Sequence, residues 1–177
     1  KKTIEFYNQN IPPNSKKLGL GVMNPFTEFM KNEGYIIQNT KGEDLAFDTS
    51  TIEKSEAEVV TAFEIFEHLI SPLTVLTSIK ADKLVASVPL RLWFSPAYRS
   101  KTDIWDRHYH EFEDWQFDWL LEKAGWKIIA SEKWTNPTKK IGIRPILRWF
   151  IPRYYIVYAE KIKNSTNKNS QIPNHFK

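Results

Sequence analysis

The chain contains no cysteine. Disulfides, thiol nucleophiles and cysteine-ligated metals are therefore excluded, and a reducing, cytoplasmic setting is the expectation. No apolar run approaches the roughly 18 residues that a membrane-spanning helix needs. Glycine is scarce, with 6 among 177 residues, so each glycine-bearing turn carries weight. Charge of one sign is not in large excess either: the formal net charge is +4, which demands neither nucleic acid nor membrane, and no nucleic-acid partner is expected.

Aromatic residues are plentiful at 14%, seven of them Trp. Such rings fill a core or line a pocket for a flat ligand. Hydrophobic residues at 41% and charged residues at 26% are ordinary for a globular chain, and this length suits one domain. The expected domain is 1–163, with an aromatic loop over 90–112, a basic-apolar insert over 135–153 and a disordered Asn/Ser/Lys-rich tail over 164–177.

Local patterns predict alternating strands and capped helices. A weak helical pattern (Ile4, Phe6, Tyr7) stops at Pro12-Pro13. Lys17 to Gly21 reads as a strand, and Asn24-Pro25 as the cap and first residue of a helix ending at Gly34. Tyr35 to Gln38 is a second strand. Residues 40–57 are polar, with Asp44 to Phe47 as a short extended piece. Glu58 to Phe63 is a buried, β-branched strand, and Ser71-Pro72 opens a short helix. Leu84 to Val88 is another buried strand. Trp115, Trp119 and Leu120 share a helix that ends at Gly125, and Trp126 to Glu132 and Tyr154 to Lys161 are the last strands. This order predicts a three-layer α/β domain whose turns after Gly21, Phe63 and Val88 converge at one sheet edge.

The most informative run is Val59-Val60-Thr61-Ala62-Phe63-Glu64-Ile65-Phe66-Glu67-His68-Leu69. It resembles the segment ending the fourth strand of class I S-adenosylmethionine-dependent methyltransferases. Three other segments are similar to that family in the right order. Leu18-Gly19-Leu20-Gly21 stands where the family has its glycine-rich loop. Gly42-Glu43-Asp44-Leu45-Ala46-Phe47 looks like the motif after the third strand. His108-Tyr109-His110-Glu111-Phe112, followed by Leu120-Leu121-Glu122-Lys123-Ala124-Gly125-Trp126, looks like the stretch before the sixth strand.

The resemblance implies a Rossmann-like methyltransferase fold: a mostly parallel seven-stranded sheet with an antiparallel last strand. It implies S-adenosylmethionine as cofactor, with Gly19 and Gly21 near its methionine part, Asp44 and Leu45 by the adenine, and Phe63 and Glu64 under the sulfonium. The acceptor is expected to be a small molecule or a glycan- or lipid-linked group. His68, His108 or His110 would act as base where the acceptor must lose a proton.

Departures from the family are specific. Gly19 replaces the acidic residue of the family's acidic-x-Gly-x-Gly-x-Gly loop, Met23 the second glycine and Pro25 the third. Asn39 and Thr40 stand where an acid should hold ribose hydroxyls. A relative that has lost its cofactor and serves as a binding or scaffold module therefore stays open.

His108 and His110 alternate like a metal pair, but no third ligand stands nearby in sequence, so no metal is expected. The acids Asp103, Asp106, Glu111, Glu113 and Asp114 read as a solvated loop and helix start. Residues 139–153 mix Lys139, Lys140, Arg144, Arg148 and Arg153 with Ile, Leu and Trp. The expected reading is a crossover packing its apolar residues on the domain. The alternative is contact with an anionic membrane, as in a peripheral glycolipid-pathway protein.

Overall fold

The computed structural model describes residues 2–138 and 140–163; the expected disordered tail lies outside them, as does Lys139. Six strands are described: β1 (Lys17–Gly19), β2 (Ile37–Asn39), β3 (Val59–Phe63), β4 (Lys83–Pro89), β5 (Trp126–Thr135) and β6 (Pro152–Lys161). They form one sheet in the order β2-β1-β3-β4-β6-β5. β1 to β4 pair in parallel, and β6 lies antiparallel to both β4 and β5.

The helices are α1 (Lys2–Asn10), α2 (Pro25–Asn32), α3 (Ser50–Glu53), α4 (Pro72–Ser78), α5 (Asp114–Lys123) and α6 (Ile143–Phe150). Alternation along the strands builds a core on each sheet face, as expected where both faces are covered. Val60, Ala62, Leu84, Ala86, Val157 and Ala159 pack with Ile52, Phe66, Leu76, Phe117 and Leu121 on one face. Val59, Val85, Ile156 and Tyr158 pack with Phe6, Tyr7 and Met30 on the other. The result is three layers, as the sequence predicts.

The expected seventh strand is absent among the described residues. Asp44 to Phe47 is a turn rather than an extended piece: Phe47 N–H and Asp48 N–H both donate to Asp44 C=O at 2.9 Å, and Ala46 N–H donates to Asp44 Oδ1 at 3.0 Å. An Asx-type turn followed by α3 takes up the short span between β2 and β3, and no length remains for a further strand. β2 is left at the sheet edge.

Local signals hold where capping chemistry is strong. Asn24 Oδ1 accepts Thr27 N–H at 3.0 Å at the start of α2. The face of α5 is the opposite of the one that Trp115 and Trp119 suggest. These two are 45% and 65% exposed and pair edge-on, while Phe117 and Leu121 are fully buried.

The 135–153 segment is also corrected. Ile143, Ile146, Trp149 and Phe150 of α6 are 58–79% exposed and α6 buries no residue. Most of its apolar side chains therefore do not pack on the domain, and Leu147 alone among its Ile, Leu, Trp and Phe residues is half-buried.

Candidate functional site

Parallel pairing of β1, β3 and β4 brings their carboxyl ends to one edge, where open α/β sheets take ligands. The register sets Gly19 opposite both Asn39 and Thr61, and Phe63 opposite Ser87. Two groups of side chains follow, one around the β1–β2 loops and one beyond β3 and β4.

In the first group, Gly21 has φ +87°, a conformation that favours glycine. Its N–H donates to Thr40 Oγ1 at 2.8 Å, and a Cβ there would lie 3.1 Å from Ile65 Cδ1. Gly19 is buried, and a Cβ there would lie 2.8 Å from Asn39 Nδ2. The acid that the resembling family carries at this position has no room beside Asn39. The Asn39 amide donates to Gly21 C=O at 3.2 Å and to Thr27 Oγ1 at 3.4 Å. Asn39 Oδ1 is left without a partner. Asp44 is exposed at its turn, and Leu45 belongs to the core.

In the second group, Glu64 follows β3 with φ +54°. A non-glycine residue held there is strained and marks a place where the surroundings over-determine the backbone. β4 does so here: Glu64 N–H donates to Ser87 C=O at 3.0 Å, and Ser87 Oγ donates to Glu64 Oε1 at 2.9 Å. Burial pushes the Glu64 carboxyl above its usual range, against the pull of the Ser87 hydroxyl and Arg153. Glu64, Phe63, Ser87, Phe26, Trp134 and Tyr154 line a cavity of about 310 Å³. The rings of Phe26 and Phe63 meet edge-on at 4.7 Å. Aromatic walls with one carboxylate suit a cationic group.

One 3-10 turn (Phe66–His68) then presents Glu67 and His68. Glu67 is 1% exposed. Burial, and next the charge of Glu64, push its carboxyl up to about 8. Its backbone carbonyl accepts Tyr109 N–H at 2.8 Å and His110 N–H at 3.2 Å. These bonds pin the 90–112 loop over the turn and bring His108 to His68, with ring centres 4.7 Å apart. Burial, then His68, lower the His108 pKa.

His110 is turned away, stacked on Phe112 with Nε2 3.3 Å from Ile70 C=O. Of the three predicted histidines, two therefore meet and the third stands apart. A second cavity, of about 570 Å³, opens beside His108 among Tyr98, Arg99, Lys101 and Arg107.

Sequence reasoning missed Arg153, Ser87, Trp134 and Tyr154. Arg153 reads as part of a basic surface run. In the fold its guanidinium donates to Leu90 C=O at 2.5 Å, and its charge reaches Glu64 and Glu67. The position of Arg153 on β6, antiparallel beside β4, is what brings it inward. No local pattern reports that pairing.

No protein-family model and no curated protein sequence matches the chain. Solved structures do match in shape. One is a SAM-dependent methyltransferase from Methanosarcina mazei, with TM-score 0.59, 9% identity, and coverage of 89% of this chain and 97% of that one. Another is the 1,6-didemethyltoxoflavin-N1-methyltransferase of Burkholderia thailandensis, solved with 1,6-didemethyltoxoflavin and S-adenosylhomocysteine; its TM-score is 0.57 at 14% identity, covering 91% and 76%. A third is the [4+2]-cyclase SpnF, with TM-score 0.57, 11% identity and coverage of 91% and 80%. The chain has the class I S-adenosylmethionine methyltransferase fold. At such identities the likeness establishes the fold alone, and that fold also carries a cyclase.

Proposed function

We propose that the protein is an S-adenosylmethionine-dependent methyltransferase whose reacting centre lies over the carboxyl ends of β3 and β4. The observation that carries this reading is the aromatic cavity closed by Glu64, at the edge where this fold takes its ligand. The cofactor would supply a sulfonium-bound methyl group for in-line displacement. The residues present suit it in two places. Asn39 Oδ1, a buried acceptor with no partner at the end of β2, is available to a sugar hydroxyl. Phe26, Phe63, Trp134, Tyr154 and the Glu64 carboxylate suit the cationic end. Asp44 stands by the base at its turn. Gly21 contributes close approach only, because its N–H is taken by Thr40.

The chain's own part in the reaction is positioning. The Ser87 hydroxyl and the β4 backbone hold Glu64. The rings exclude water, and the 90–112 loop covers the acceptor side. His108, held beside His68, stands on the acceptor side of the turn. The exposed apolar side chains of α6 alternate with Arg144 and Arg148. They favour an acceptor met at an anionic lipid surface.

Calorimetric titration with S-adenosylhomocysteine tests the reading. Binding that is lost in Phe63→Ala and weakened in Asn39→Ala is the expected result. No heat at millimolar ligand would overturn it and leave the cofactor-free binding module.

A further inference from the structure

The fold supplies the third ligand that the local sequence lacks. Donor atoms of Glu67, His68 and His108 all lie within 4.8 Å of one another. His68 Nε2 is 3.8 Å from Glu67 Oε1. Donors around a tetrahedral zinc ion stand roughly 3.4 Å apart, given bond lengths of about 2.1 Å, so side-chain torsions of roughly 10–20° close the set.

Two independent features favour an ion there. First, Glu67 Oε2 is buried and has no partner, in a side chain that is 1% exposed. An unpaired buried carboxyl oxygen is costly, and a bound cation would meet it and favour the ionised form. Second, His68 Nδ1 lies 3.1 Å from Arg107 C=O. A carbonyl only accepts, so Nδ1 carries the proton and the Nε2 lone pair faces Glu67; a backbone carbonyl fixing the far ring nitrogen is the usual support of a metal-bound histidine.

We propose that Glu67, His68 and His108 bind one divalent first-row transition-metal ion, with its open positions toward the basic cavity beside His108. Two imidazoles and one carboxylate suit zinc, cobalt, manganese or iron(II) better than magnesium or calcium, which take oxygen ligands. The ion would hold a water or a substrate oxygen in the cavity that Arg99, Lys101 and Arg107 make favourable to anions.

The site does not rest on cofactor binding, and its test is run without S-adenosylmethionine. Tag-free, chelator-stripped protein is titrated with Co²⁺ and followed by visible absorption, with Zn²⁺ calorimetry in parallel. One ion per chain is expected. Glu67→Gln and His108→Ala should each weaken binding at least tenfold, and His110→Ala should leave it unchanged. Circular dichroism checks that each variant is folded. Glu67→Gln keeps shape and volume and serves if His108→Ala does not fold. Co²⁺ should also raise the melting temperature of the wild type and not that of Glu67→Gln. Absence of a Co²⁺ band at millimolar metal, or wild-type affinity in Glu67→Gln, would refute the site.

Discussion

Gly19→Ala probes the contact that separates this loop from those it resembles. The new Cβ would stand 2.8 Å from Asn39 Nδ2 and 3.5 Å from Thr61 Oγ1. Thr61 sits directly across the ladder in β3, so Asn39 must give way. Its amide then loses the bonds to Gly21 C=O and Thr27 Oγ1. Two such bonds contribute about 1 kcal/mol each. Replacing glycine in a strand returns about 0.5–1 kcal/mol through the unfolded chain. A net loss of about 1–1.5 kcal/mol is expected. In an Asn39→Ala background the obstruction is gone, and Gly19→Ala becomes neutral or stabilising by about 0.5 kcal/mol. The coupling in a double-mutant cycle is then roughly 1–2 kcal/mol. Urea denaturation at equilibrium measures all four proteins, and melting temperature follows at about 2–4 °C per kcal/mol for a chain of this length. Equal effects of Gly19→Ala in both backgrounds would refute the reasoning.

Trp126 is 1% exposed and donates from Nε1 to Leu76 C=O at 3.2 Å. Trp126→Phe should cost about 2 kcal/mol in urea denaturation, from the lost bond and the space left behind. Lys17 is 2% exposed, and its ammonium donates to Pro13 C=O at 2.8 Å and Ser15 C=O at 2.6 Å. Burial lowers its pKa below 10.5, so the folded state releases its proton before the unfolded state does. Stability from this group therefore rises as pH climbs from the lowered value to 10.5, and the pH profile of Lys17→Met should lack that rise. Arg144→Ala with Arg148→Ala should abolish co-sedimentation with vesicles containing anionic lipid. Wild-type protein that stays in the supernatant at low salt would remove the membrane reading of α6.

How far the sequence could be read depends on the range of each interaction. β3, β4 and the Asn24 cap are legible because short apolar, β-branched runs and capping chemistry act within a few residues. The missing strand is not, because Asp44-Leu45-Ala46-Phe47 suits either an extended piece or a turn, and the choice rests on hydrogen bonds to Asp44. The buried face of α5 is not legible either, because exposed Trp115 and Trp119 carry the same helical spacing as a buried pair.

The Glu64–His68 run by itself determines that polar groups follow a buried strand, and hence which sheet edge receives a ligand. Tertiary structure alone decides their company. Tyr109 and His110 bond to the Glu67 carbonyl across some forty residues, carrying His108 to His68 and leaving His110 outside. Antiparallel β6 takes Arg153 out of the basic run and bonds its guanidinium to Leu90 C=O beyond β4. Composition and periodicity describe what a residue wants around it. Loop closure and strand order decide which residue meets that want.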